Sequence, residues 1–134
     1  MNDIELGWFV GIIDGEGSIQ LDKRNKYSRQ PVLSVASTDI EILNECKRIT
    51  GAGCIVQKPS KNTKHKLSYT WRMVGAKQIL KLLTKMLPYL KCPKKARRAK
   101  FLIDNYTSVT SINGNYTDEM KIRKLKFEED FFNQ

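Results

Sequence analysis

The sequence is poor in several residue types that carry familiar chemistry. Its one histidine, His65, lies in a lysine-rich stretch with no catalytic partner nearby, so a solvated side chain is expected there. Three cysteines, Cys46, Cys54 and Cys92, are an odd number without C-x-x-C spacing. Neither a disulfide framework nor a zinc site is supported, and reduced, partly buried thiols are expected. No apolar run reaches the length of a membrane span. Met1 to Ile4 lacks the basic start of a secretory signal, and Glu5 follows at once. An intracellular protein, in cytoplasm or organelle, is therefore expected, and the Asn-Tyr-Thr sequons at Asn105 and Asn115 carry no meaning without secretion. Repeats and low-complexity segments are also lacking. Acids are scarce through the middle: residues 23–100 hold Asp39, Glu41 and Glu45 against 20 Lys and Arg.

What is present is unevenly distributed. The 134 residues fit one domain with a modest core, and the net charge is +10. Residues 1–20, however, hold four acids and no Lys or Arg. An acidic site beside a basic body suits a metal centre that works on a polyanion. The plain alternative is a cationic, soluble surface. The acids frame one stretch, Ile4 to Ile13, in which every residue but Glu5 is apolar or glycine. A helix apolar nearly all round should be buried on two sides. Gly7 and Gly11 share one helical face, where a second backbone could approach closely. Asp14 and Glu16 then alternate with Gly15 and Gly17, which predicts a sharp, glycine-permitted exit from the helix. Carboxylates at the negative end of a helix dipole need a compensating cation. A hard metal ion with oxygen ligands would serve.

Phe9 to Gly17, FVGIIDGEG, resembles the LAGLIDADG signature of homing endonucleases. Gly11 takes the first glycine, Asp14 the first acid, Glu16 the last acid and Gly17 the closing glycine. Phe9, Val10, Ile12 and Gly15 depart by substitutions the pattern tolerates.

The rest of the chain follows the same order. Ser18 to Arg24 alternates as a half-buried strand, with Ile19 and Leu21 inward. Asn25 to Arg29 reads as a turn. Gln30 to Ser37 is a second strand with Leu33 and Val35 inward. Ser37-Thr38-Asp39 offers an N-cap to a helix carrying Ile40, Leu43, Cys46 and Ile49, which stops at Gly51. Cys54 to Lys58 is a short strand, Pro59 to Lys66 a basic hairpin loop, and Leu67 to Val74 a fourth strand with Tyr69, Trp71 and Met73 on one face. Ala76 to Leu87 is an amphipathic helix ended by Pro88. Another runs from about Pro93 to Asn105. Thr107 to Asn115 reads as a loop and Asp118 to Phe132 as a short terminal helix. The fold class is α+β, in the order α-β-β-α-β-β-α-α, with helices on one face of an antiparallel sheet. Residues 1–106 form the domain and 107–134 a C-terminal loop and helix. The resemblance covers roughly residues 4–105, and implies a curved sheet that binds DNA.

The outward sheet residues are Ser18, Gln20, Asp22 and Arg24, then Gln30, Val32 and Ser34, then Lys58, and last Ser68, Thr70 and Arg72. Short or flexible hydrogen-bonding groups of this kind read base edges in the major groove, which admits a β-ribbon. They equally suit an ordinary solvated face. Val32, Cys54 and Val56 fall in the same register and would meet thymine methyls or be buried. A cationic run, Lys91, Lys94, Lys95, Arg97, Arg98 and Lys100, contains no acid. A run of this kind is often a solvated helix face; here the resemblance implies a basic residue near the scissile phosphate. Lys94 is the first choice and Lys91 the second, because Pro93 stands where a lysine is expected. Lys95 and Arg98 would hold the phosphate backbone.

The chain carries one signature, whereas the family packs two signature helices side by side. The resemblance therefore implies a homodimer through Gly7, Val10, Gly11 and Asp14, reading a long near-palindromic site. It further implies that Glu16 and the Gly15 carbonyl hold a divalent metal, Mg²⁺ from the oxygen ligands. Ser37 or Asp39 would help position water, and Asp14 would act structurally or behind the ligands. The implied activity is site-specific double-strand DNA cleavage by an intron-encoded enzyme. The alternatives are a non-catalytic nucleic-acid-binding protein or an intron RNA maturase on the same scaffold.

Overall fold

The structure is a computed structural model that describes residues 1–25, 28–59 and 67–134. His65 and most of the expected hairpin loop lie outside the described residues, as does the centre of the turn after Asn25. The elements are α1 (Asp3–Glu16), β1 (Gly17–Lys23), β2 (Arg29–Ser37), α2 (Ile40–Thr50), β3 (Cys54–Lys58), β4 (Ser68–Met73), α3 (Ala76–Met86), α4 (Pro93–Val109) and α5 (Asp118–Phe132). A 3-10 turn, Leu87–Tyr89, joins α3 to α4. This is the expected order, with a full helix in the tail.

The four strands form one antiparallel sheet in the order β1-β2-β4-β3. Gly17 lies opposite Val35, Leu33 opposite Met73, and Ile55 opposite Trp71. This register gathers Ile19, Leu21, Leu33, Val35, Trp71 and Met73 on one face, all buried. The helices cover that face with Phe9 and Ile13 from α1, Leu43 and Cys46 from α2, and Ile79, Leu83 and Met86 from α3. Phe9 meets Trp71 edge-on at 5.8 Å. The Trp71 indole N–H donates to the Ala52 carbonyl at 3.0 Å. Its ring lies so close to Gly53 that a Cβ there would sit 2.3 Å from Nε1, at a backbone φ of +91°. Gly51 ends α2 in the left-handed region, as the sequence predicts.

Several boundaries move. β1 stops at Lys23, leaving Arg24 in the turn. The expected domain boundary after residue 106 falls inside α4, which continues to Val109. The hydroxyls of Ser108 and Thr110 bond back to the carbonyls of Asn105 and Tyr106 at the end of this helix. The tail packs into the same core as the sheet. Phe127 stacks on Phe101 at 5.2 Å, and Phe131 is fully buried. Cys46, Cys54 and Cys92 are free thiols; Cys46 is buried, and burial pushes it up to about 11, whereas Cys54 is exposed. Among the described residues no helix is long and apolar enough to cross a membrane.

Candidate functional site

The site is built at the carboxyl end of α1. The amino end of the helix is fixed first, by a capping box: the Glu5 N–H donates to Asn2 Oδ1 at 2.8 Å, and the Asn2 N–H donates to Glu5 Oε1 at 3.1 Å. That backbone bond, followed by Arg48 at 2.8 Å, holds the Glu5 carboxyl below its ordinary range. The helix then passes into β1 with no intervening loop. The exit is sharp, as expected, but it uses no left-handed residue, since neither Gly15 nor Gly17 has a positive φ. Gly17 is required for closeness: a Cβ there would lie 2.7 Å from the Ile13 Cα. Its N–H donates to the carbonyls of Ile12 and Ile13.

The cation that compensates the acidic helix end is a lysine of α4. Lys95 Nζ donates to the Ile13 carbonyl at 2.8 Å and the Asp14 carbonyl at 2.7 Å. The Asp14 carboxylate accepts from the backbone N–H groups of Lys91 at 2.9 Å and Cys92 at 3.1 Å. One expectation is thereby corrected: Lys95 is turned into the fold rather than toward a phosphate. Asp14 takes a structural part, accepting at the start of α4 with both oxygens. Arg98 is also corrected: it donates to the Ile19 carbonyl at 3.0 Å and lies 4.8 Å over the Phe131 ring, engaged inside the chain.

Glu16 ends α1 exposed, and among the described residues its carboxylate has no hydrogen-bond or ion-pair partner. Gly15 is exposed beside it. The Asp14 cap brings the start of α4 to this point, with Lys91 and Lys94 exposed. Since Gly17 pairs with Val35, Ser37 lies at the same end of the sheet. Its Oγ accepts from the Asp39 N–H at 3.0 Å. Asp39 occupies the N-cap position of α2, but its side chain makes no capping bond. Glu16, Gly15, Lys91, Lys94 and Ser37 are thus gathered at one edge of the molecule. Among the described residues no three His, Cys, Asp or Glu side chains cluster as metal ligands. One acid and one carbonyl per chain fall short of the roughly six oxygens a hard divalent ion takes, and two chains would supply four.

The open sheet face starts from that edge. By register, Ser18, Gln20 and Asp22 of β1 share it with Gln30 and Ser34 of β2, Ser68, Thr70 and Arg72 of β4, and Lys58 of β3. Asp22 and Arg72 are joined across it at 3.0 Å. Val32 belongs to this face but is only 1% exposed, set on a central strand opposite the longer Gln20, so it presents no methyl to a ligand. Arg24 leaves the face altogether. It follows the end of β1 and lines a cavity of about 370 Å³ with Tyr106 and Tyr116.

α1 has a second face. Phe9, Val10 and Ile13 point into the core, whereas Ile4 is 85% and Trp8 37% exposed, with Gly7 and Gly11 open beside them. Val10, at 4% exposure, is a core residue, which corrects its expected place at a dimer interface. A Cβ on Gly7, Gly11 or Gly15 would meet nothing within 4 Å.

The sequence reading missed the exchange of caps between Asp14 and Lys95. One signal was available: Cys92, the N-cap of α4, has no oxygen to offer, so another side chain has to supply the cap. It also missed Lys124 and Glu128, buried on α5, for which mixed charge gave no signal.

A family model described as a LAGLIDADG-like domain matches residues 3–86. No curated protein matches the chain. Solved structures do. The homing endonuclease I-TnaI is 23% identical with a TM-score of 0.66, over 93% of this chain and 86% of that one. The homing endonuclease I-CvuI, in complex with its target in the presence of calcium, is 19% identical with a TM-score of 0.66, over 97% and 81%. The meganuclease I-AabMI, bound to uncleaved DNA, is 16% identical with a TM-score of 0.68; the match covers 96% of this chain but 44% of that one. At these identities the likeness is one of fold.

Proposed function

The chain belongs to the LAGLIDADG family, and from that premise we propose that it is a metal-dependent, site-specific endonuclease for double-stranded DNA. It acts as a homodimer, encoded within a mobile intron and working inside the cell. The observation that carries this reading is the unpartnered Glu16 carboxylate, set at the end of the open sheet face beside the exposed Lys91 and Lys94. A carboxylate kept free of the cations around it is available to a ligand that the fold itself does not supply.

The division of roles follows from position. Two copies pair through the open face of α1, over Gly7, Gly11 and Trp8, and bring two Glu16 carboxylates and two Gly15 carbonyls together. Like charges so close repel unless cations lie between them. This donor set of carboxylate and carbonyl oxygen suits Mg²⁺. Held there, such an ion would supply activation of the attacking water and would stabilise the oxygen that leaves phosphorus in the in-line displacement. Lys94 and Lys91 hold the phosphate at the cut and neutralise its developing charge. Ser37, whose oxygen already accepts from Asp39, orients the approach of water. The sheet face lies in the major groove, with Arg72 and Gln20 among the groups that reach base edges. The two-fold symmetry of the dimer calls for a near-palindromic target.

The test is a cleavage selection from a random duplex library in Mg²⁺ and in Ca²⁺, with wild type and Glu16→Gln. Recovery of a long near-palindrome, cut by wild type only in Mg²⁺ and bound but uncut by Glu16→Gln, is the expected result. Binding without cutting in any metal would make the chain a non-catalytic DNA-binding protein. Neither binding nor cutting of duplex, with binding to structured RNA, would make it a maturase.

A further inference from the structure

Lys95 stands in a basic run, yet its ammonium group is turned inward onto the last turn of α1, bonded to the carbonyls of Ile13 and Asp14. That turn has no basic residue of its own and carries two acids at the negative end of the helix dipole. The Gly17 N–H already reaches the Ile13 carbonyl, and Lys95 adds a second donor there and one to the Asp14 carbonyl. In return, the Asp14 carboxylate takes the N–H groups of Lys91 and Cys92, at the positive end of α4. Each helix thus caps the other, through four bonds between residues 77 to 82 positions apart in the chain.

The exchange of caps matters because of what lies on either side. Gly15 and Glu16 follow directly after the bonded carbonyls, and Glu16 stands between two glycines, in the part of the backbone least restrained by its own residue types. Lys91 and Lys94 flank the other half of the junction. Both ends of the lock therefore set the distance from the acid to the exposed cations.

We propose that Lys95 is a positioning residue: through the Ile13 and Asp14 carbonyls it fixes the end of α1, and so holds the Gly15 carbonyl and the Glu16 carboxylate in place against Lys91 and Lys94. This rests on the reading of Glu16 as the acid that holds the metal. A lysine suits the task, since a compact ammonium with three donors can serve two adjacent carbonyls at once. Catalytic geometry is steep in distance, so loosening this turn costs rate without costing affinity.

The test compares wild type, Lys95→Met and Lys95→Arg as full chains by three readouts. These are amide hydrogen exchange at residues 15–17, DNA affinity in Ca²⁺, and single-turnover cleavage in Mg²⁺. In Lys95→Met, exchange at residues 15–17 should rise about tenfold, consistent with local opening. DNA affinity should stay within about twofold, while cleavage should slow by about 10²-fold, as for a small misplacement of a reacting group. Lys95→Arg should recover part of the rate. Affinity that falls in step with cleavage while exchange stays unchanged would make Lys95 a phosphate contact and overturn the proposal. Unchanged exchange with full cleavage would overturn it equally. Should Lys95→Met fail to fold, Lys95→Arg decides alone: slower cleavage at unaltered affinity supports positioning, and full cleavage refutes it. If wild type cuts no duplex, the exchange readout still judges the lock, and only the reading of Glu16 falls.

Discussion

The cations of α4 and its approach divide into two groups that differ in direction rather than in kind. Lys91, Lys94, Arg97 and Lys100 are exposed, whereas Lys95 and Arg98 are drawn inward. Lys95 and Arg98 lie three apart, one helical turn along the same face, and that face is the one meeting α1, β1 and α5. Lys94 and Arg97 lie one residue away from each and remain in water. A run of six cations therefore offers a polyanion fewer groups than its sequence suggests, because Lys95 caps the end of α1 and Arg98 bonds a carbonyl of β1. A third case sharpens the difference. Lys124, on α5, is 1% exposed, and among the described residues its ammonium meets the Thr110 hydroxyl at 2.6 Å and the faces of Tyr106 and Phe127 at 4.2 and 5.4 Å. Burial pushes its pKa down to about 8. Glu128, one turn on, opposes that shift, while burial raises its own carboxyl. An inward cation with two carbonyls braces the fold, and one with a single hydroxyl and two rings weighs on it.

The largest expected effect comes from removing that burden. In the folded chain the Lys124 ammonium loses its proton near pH 8, against an ordinary value of 10.5. Between these values the unfolded chain holds more protons, so stability rises with pH across that window and the penalty is fully present below it. Relative to Lys124→Met, the wild type should gain about 3 kcal/mol between pH 7.5 and pH 10.5. Denaturant melts of both proteins across that range measure it. A flat difference would show that Lys124 is as well satisfied as Lys95.

The two groups of cations on α4 should separate in DNA binding. Lys94→Ala should change stability by less than about 0.5 kcal/mol. It should also lower the slope of log affinity against log salt by about 1, as for loss of one phosphate contact. Lys95→Met should leave that slope unchanged. Equal slopes for the two variants would erase the distinction drawn between outward and inward cations.

Much of this architecture is legible in the residues, where the pattern is local. Alternation in Ser18–Lys23 and Gln30–Ser37 is enough to set which face is buried, and the register carries the same faces across all four strands. Val32 escapes the pattern because a β-branched residue on a central strand can be closed over on either face. Gly17 shows a different failure. Its place was read as freedom of φ, whereas the structure requires it for the approach of Ile13. The Asp14–Lys95 exchange of caps was illegible as a pair, since no periodicity links residues 81 positions apart. The tail was read too weakly for a physical reason: Lys124 and Glu128 share the buried stripe of α5 with Phe127 and Phe131, so charge masks the apolar period.

On the function proposed, one chain holds half of a site and a second copy completes it. The open glycines of α1 allow a direct test. A Cβ at Gly11 would meet nothing within 4 Å in its own chain, and replacing a helical glycine does not weaken the helix. Gly11→Arg should therefore fold as wild type and fail only where two α1 helices meet. Native mass measured on wild type and Gly11→Arg, each with the duplex recovered by selection, should give two chains per duplex for wild type. It should give a single chain for Gly11→Arg, with cleavage lost. One wild-type chain cutting the duplex by itself, or an undiminished dimer of Gly11→Arg, would contradict the account.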